Sequence, residues 1–175
     1  MFIVTVIIDR TNPNFIYYTF GLSQATFLER PWTLVTCIFI HANIWHIFAN
    51  MITLYFFGSY LNRLLGTTKF LIVYFAGGIL ASLAFLLLPP SPYSIAIGAS
   101  GAIFALGGVL AVMRPKLRVI VFPIPVPLPL WIAIIGIFVV FSFIPNVAWQ
   151  AHFGGLVLGL VAGYFFRRRE RRLYY

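Results

Sequence analysis

The chain has 175 residues, 62% of them hydrophobic and 9% charged, and its mean hydropathy of +0.99 lies far outside soluble globular usage, so it reads as a polytopic membrane protein with one transmembrane domain. A formal net charge of +9 does not point to nucleic acid, which needs a basic face on a folded surface, because the positive residues here sit at the ends of apolar runs. The lone Cys37 excludes an intramolecular disulfide and a thiolate metal cluster, and reads as a small buried apolar residue.

Residues 1–8 are apolar, but as helix they span only about 12 Å against the roughly 30 Å of a hydrocarbon core. They are expected to be the end of a first span that is shortened or truncated, and they lack the basic flank and cleavage site of a signal peptide. Residues 9–31 form a loop with a short apolar piece, residues 15–20, expected at the membrane interface. The apolar run from Thr33 is interrupted by His41, Asn43, His46 and Asn50, so the second span is placed at residues 44–64, before Gly66. The third covers residues 69–88 and is stopped by Pro89 and Pro90. A fourth, residues 100–113, is short for a full crossing, so Ser100 should begin partway down rather than at the surface. Residues 122–129, with proline at every second position, cannot be interior helix and are expected as a loop along the interface. The fifth span is residues 130–144 and the sixth residues 149–166. This gives an all-α, six-span bundle in three parts: a truncated first helix and extracytoplasmic first loop (1–43), a core (44–166) and a basic cytoplasmic tail (167–175).

The charges orient that bundle. Arg63 and Lys69 flank one connection, Arg114, Lys116 and Arg118 another, and five arginines between 167 and 172 follow the last span, whereas residues 89–97 and 145–148 carry no charge. An excess of Lys and Arg marks cytoplasmic connections, so both termini are expected in the cytoplasm, and the absence of an added soluble domain points to a prokaryotic plasma membrane.

The carboxylates are Asp9, Glu29 and Glu170, all outside the spans, and no HExxH motif occurs. Paired-carboxylate and zinc hydrolysis within the bilayer are therefore excluded, and a proton-coupled transporter or channel subunit, which calls for an intramembrane acid or a broken helix pair, is disfavoured. The polar residues at depth are His41, His46, Asn50, Ser100 and His152. Ser100 opens a helix, where first-turn backbone N–H groups lack intrahelical partners. His46 and Asn50, four apart, share a helical face and can offer donors, which with the Ser100 amide make an oxyanion hole. His152 begins a stripe of Gly155, Gly159 and Gly163 that permits close helix approach, and Gly101, Ala105, Gly107, Gly108 and Ala111 form a matching small surface in the fourth span. Packing these surfaces would bring His152 to Ser100, a nucleophile and base without a carboxylate, with Phe104 one turn on available to stack on the imidazole. Each feature also has a plain reading: a transmembrane Ser bonds back to its own helix, glycine stripes only pack, and His41 is expected as a structural hydrogen bonder between loop and helix. The co-occurrence of these groups in one half of three spans favours chemistry.

The set resembles the rhomboid family of intramembrane serine proteases. His41-Ala-Asn-Ile-Trp-His46-Ile-Phe-Ala-Asn50 is similar to the family's His and HxxxN pattern, Gly98-Ala-Ser100-Gly101 to GxSG, and Ala151-His152-Phe-Gly154-Gly155 to AHxxG, in order across residues 32–166. The resemblance implies Ser100 as nucleophile, His152 as general base, His46, Asn50 and the Ser100 amide as oxyanion hole, Gly98 and Gly101 in support, no cofactor or metal, and transmembrane proteins in a lipid bilayer as substrates. A catalytically inactive rhomboid-like binder of transmembrane helices is the alternative. The chain departs from the family's usual Trp-Arg in the first loop, where Trp32 precedes Thr33, and from its frequent Tyr at the position of Phe104.

Overall fold

The fourth span is apolar on every face, and such a helix has to be surrounded. The computed structural model, which describes residues 13–121 and 124–173, puts it at the centre. Around α5 (Ser100–Met113) stand α3 (Ile44–Leu65), α4 (Thr67–Leu87), α6 (Leu130–Ser142) and α7 (Trp149–Leu173), preceded by two short helices, α1 (Pro13–Phe20) and α2 (Thr33–Thr36). Every α5 residue from Gly101 to Ala111 is buried. At 14 residues it rises about 21 Å, less than a hydrocarbon core. The apolar piece expected at the interface is α1, and the stunted first span, residues 1–8, lies outside the described residues.

The contact between α5 and α7 is the most extensive in the fold, and it is made of backbone. A Cβ on Gly155 would overlap the Gly101 carbonyl, one on Gly159 the Ala105 carbonyl, and one on Gly163 would lie 3.0 Å from the Val109 Cα and carbonyl oxygen. The two helices thus match in steps of four residues. Lipid tails are as apolar as side chains, so close van der Waals contact rather than a hydrophobic effect holds such a pair. Gly108 joins this seam against Gly159 and Leu156, but Gly107 does not: it faces Ile134 of α6 and Phe57 of α3. It lies one residue, about 100°, around the helix from Gly108.

Two further expectations change. Residues 124–129 are not a free loop: β2 (Ile124–Pro129) pairs antiparallel with β1 (Arg118–Val121), in register Arg118 with Pro129 and Val119 with Leu128. In a strand, alternate backbone N–H groups point to opposite edges, so prolines at 125, 127 and 129 strip donors from one edge and leave the other able to pair. The bundle is mostly helical, as expected of an all-α membrane protein, with one hairpin among the described residues. The first loop also contains helix: Thr33–Phe39 is helical and meets α3 at 93°. The first loop, where Trp32 precedes Thr33, is anchored by side chains: Arg30 donates to the Tyr18 carbonyl, Trp32 Nε1 to that of Thr19 at 2.9 Å, and Thr36 Oγ1 to that of Phe20 at 2.9 Å. Three carbonyls at the end of α1 are thereby capped.

Gly66, at φ 84°, makes the turn from α3 to α4, a backbone region that disfavours other residues. Helix α4 is long and apolar enough to cross a membrane, and α3 passes the same test taken with Thr33–Phe39. Helix α7 does not stop at residue 166 but continues to Leu173. Arg114, just past α5, pairs with Glu170 at 2.6 and 2.9 Å through both guanidinium nitrogens, and Arg167 donates to the Val112 carbonyl at 3.1 Å. The Arg114 guanidinium holds the Glu170 carboxyl below the usual carboxylate range.

Two predictions follow from this packing. Gly155→Ala should lose about 3 kcal/mol through overpacking, whereas Gly136→Ala, whose new Cβ meets nothing within 4 Å, should be neutral or gain up to about 1 kcal/mol of helix propensity; thermal unfolding in detergent compares them. A depressed carboxyl contributes stability that is present above its unfolded pKa and lost as pH falls through the folded one. Glu170→Gln should accordingly unfold below the wild-type temperature at neutral pH, with the gap closing as pH drops below roughly 4.

Candidate active site

The turn into α5 is built from backbone constraints. Leu22 and Ala96 exchange backbone hydrogen bonds of 3.0 and 2.8 Å, the Gly98 N–H donates to the Cys37 carbonyl at 2.9 Å, and the Pro92 carbonyl accepts from the Ala25 N–H at 2.9 Å and from Ser23 Oγ at 2.8 Å, so the loop before Ser100 is tied to the first loop along its length. Gly98 has φ 115°, where a side chain is strained, and no side chain caps the helix that follows. The N–H groups of its first turn, that of Ser100 among them, remain available.

The seam between α5 and α7 brings His152 to Ser100. Ser100 Oγ and His152 Nε2 are 2.8 Å apart. His152 is 4% exposed, and its other ring nitrogen, Nδ1, has no hydrogen-bond partner among the described residues. Phe104 packs on the imidazole with centroids 4.7 Å apart and planes at 32°, as its position one turn after Ser100 suggested. A second ring, Phe141 of α6, lies 6.0 Å away at 45°.

His46 and Asn50 face the same space. Asn43 caps α3 by accepting from the His46 N–H at 2.9 Å. The Ala42 N–H donates to His46 Nδ1 at 3.2 Å, which makes Nδ1 the acceptor of a neutral ring and leaves the proton on Nε2. The point where a Gly98 Cβ would lie is 2.8 Å from that Nε2 and 3.9 Å from Ser100 Oγ. Asn50 Nδ2 donates to the His46 carbonyl at 2.8 Å, and an amide nitrogen keeps a second proton to offer. Ser100, His152, His46 and Asn50 all line one cavity of about 670 Å³, whose walls include Ala49 and Thr53 of α3 and Ile134, Ile137 and Phe141 of α6. Gly101 lines the same cavity and also packs, with Ala81 and the Ala151 carbonyl against it.

His41, expected as a hydrogen bonder between loop and helix, is 6% exposed, and its ring meets that of His46 edge-on at 5.0 Å. The backbone of Phe39 in the first loop is its polar neighbour, with no bond from either ring nitrogen to a helix among the described residues. The Ala42 amide escaped the sequence reading, because a backbone donor leaves no trace in residue type, and so did the contact of Phe141 with His152, which joins residues of two different helices. No group of three or more His, Cys, Asp or Glu that could hold a metal occurs among the described residues.

The profile of the Rhomboid domain matches residues 28–169. The chain belongs to the rhomboid family. It is 30% identical to the mitochondrial Rhomboid protein 1 of Saccharomyces cerevisiae over 87% of this chain and 48% of that one. It is 31% identical to the putative rhomboid protease YdcA of Bacillus subtilis over 82% and 71%, and 35% identical to the rhomboid protease GluP of the same organism over 82% and 28%. This rhomboid thus spans about half the length of the yeast relative. Membership makes it an integral membrane protein of a family that includes proteins named as proteases, and its relatives are bacterial as well as mitochondrial, so membership does not fix which membrane holds it. In this rhomboid, Gly98→Ala should push the His46 ring off the Ala42 amide and cost about 1–3 kcal/mol from overpacking and positive-φ strain; thermal unfolding and the imidazole nitrogen shifts of labelled His46 measure the two effects.

Proposed function

We propose that this rhomboid is an intramembrane serine endopeptidase acting through a Ser100–His152 dyad on transmembrane segments of membrane proteins. The observation that carries the reading is the 2.8 Å contact between Ser100 Oγ and His152 Nε2 inside a cavity that also receives the His46 and Asn50 donors. Ser100 Oγ attacks the scissile carbonyl carbon as His152 Nε2 takes the hydroxyl proton. The carbonyl oxygen, now an anion, is held by the Ser100 N–H, His46 Nε2–H and Asn50 Nδ2–H, in a site where low polarity strengthens each bond. When the C–N bond breaks, His152 returns its proton to the leaving amine. It then takes a proton from water, whose oxygen displaces Ser100 Oγ from the acyl-enzyme, and that proton restores the serine. A substrate helix has its carbonyls paired, so the segment must unwind before attack, and the small residues at Gly98, Ala99 and Gly101 suit a small residue at the cleavage point.

The arrangement proposed in the membrane has six spans, with both termini cytoplasmic and the cavity open to the extracytoplasmic side, in keeping with charge at one end of the helices and its absence from residues 89–97. A prokaryotic plasma membrane is the setting proposed.

The test is cleavage of a single-span reporter by the full chain in detergent and in liposomes. Wild type should release product, and Ser100→Ala and His152→Ala should each fall by at least about 10³-fold with the fold retained. His46→Ala should fall on the order of 10²-fold. A wild type that binds the reporter without cutting it would instead support the inactive helix binder.

A further inference from the structure

An imidazole used as a base has to keep Nε2 on its serine, and rotation about the last torsion of a histidine is broad. In proteins with a triad a carboxylate on Nδ1 holds the ring. Here Nδ1 of His152 is buried without a partner among the described residues, and of the described carboxylates Glu170 is engaged by Arg114, while neither it nor Glu29 lines the cavity. What bounds the ring is aromatic: Phe104 at 4.7 Å and Phe141 at 6.0 Å. These come from different helices with different attachments. Phe104 is 6% exposed within the central helix. Phe141 belongs to α6, whose contacts with α5 and α7 are sparse beside those of α4 and whose outer residues Trp131, Ile135, Val139 and Val140 are exposed. Phe138, on the same face of α6 as Phe141, meets Phe104 and Phe153, each at 6.2 Å. Aromatic rings on one face of α6 are thus its link to the dyad.

We propose that Phe141 is a positioning residue for His152: its ring confines the imidazole together with Phe104, so that Nε2 stays on the Ser100 hydroxyl without a carboxylate. This rests on the dyad reading above. Phe141 also lines the cavity, so the alignment of the base is tied to the helix that walls it.

A wall that merely shapes the cavity would change how a substrate helix binds, whereas a positioning residue changes turnover. Two readouts separate them in the full chain: kcat and KM for reporter cleavage, and the rate at which a small alkyl fluorophosphonate labels Ser100, which needs the dyad but no helix docking. Phe141→Leu should lower kcat and the labelling rate each on the order of tenfold with KM held within about twofold, since small misplacements of a reacting group have effects of this size or larger. Phe141→Tyr, which keeps the ring, should restore both to within about twofold of wild type. Labelling of Phe141→Leu at the wild-type rate, a change confined to KM, or failure of Phe141→Tyr to rescue would overturn the proposal. Should Phe141→Leu lose its thermal transition, Phe141→Met keeps the volume without the ring and carries the same expectations. A wild type that neither cleaves nor labels, or a Ser100→Ala that cleaves, removes the dyad reading and this proposal together; the other outcomes remove this proposal alone.

Discussion

The fold depends on two helices meeting without side chains between them. Glycines 155, 159 and 163 of α7 lie against the backbone of α5 at Gly101, Ala105 and Val109, and nothing larger than hydrogen fits at the first two of these crossings. In a bilayer that close contact is a main source of helix association. Its two ends are joined by polar bonds of different kinds: Ser100 with His152 at one end, and the Arg114–Glu170 pair with the Arg167 bond to Val112 at the other. The seam fixes the axial register of α7 on α5, and the register fixes whether an imidazole lands on the serine.

The site follows from that register and from burial. A dyad without a carboxylate would be poorly oriented in water, but here the imidazole is 4% exposed, bounded by rings, and in an apolar surround where hydrogen bonds are stronger than in bulk solvent. The other groups are held by backbone. An amide fixes the His46 tautomer, the Cys37 carbonyl holds Gly98, and the His46 carbonyl orients Asn50. Few side chains at depth have to be polar as a result, which suits a membrane where each polar group is costly.

Much of this could be read from residue order because the polar residues are so few. Ser100 at a helix start, a glycine stripe beginning at His152, and His46 four before Asn50 are spacing arguments, and the structure brings those four residues to one cavity. Other parts were hidden in physical ways. The alternate prolines of 123–129 read as a loop because missing donors were counted along the chain, whereas a hairpin needs donors on one edge only. Gly107 could not be told from Gly108 without the azimuth of α5. The first loop is anchored by Arg30 and Thr36, which bond carbonyls of α1 that have no sequence signature. The edge-on contact of the His41 ring with that of His46 has no signature in their spacing.

The central claim, that Ser100 is a nucleophile made reactive by His152, is tested most directly by intact-mass and peptide mass spectrometry of the chain in liposomes after treatment with an alkyl fluorophosphonate. The account predicts one phosphonyl adduct, mapped to Ser100 and lost in His152→Ala. An unmodified wild type, or an adduct that forms equally well in His152→Ala, would contradict it.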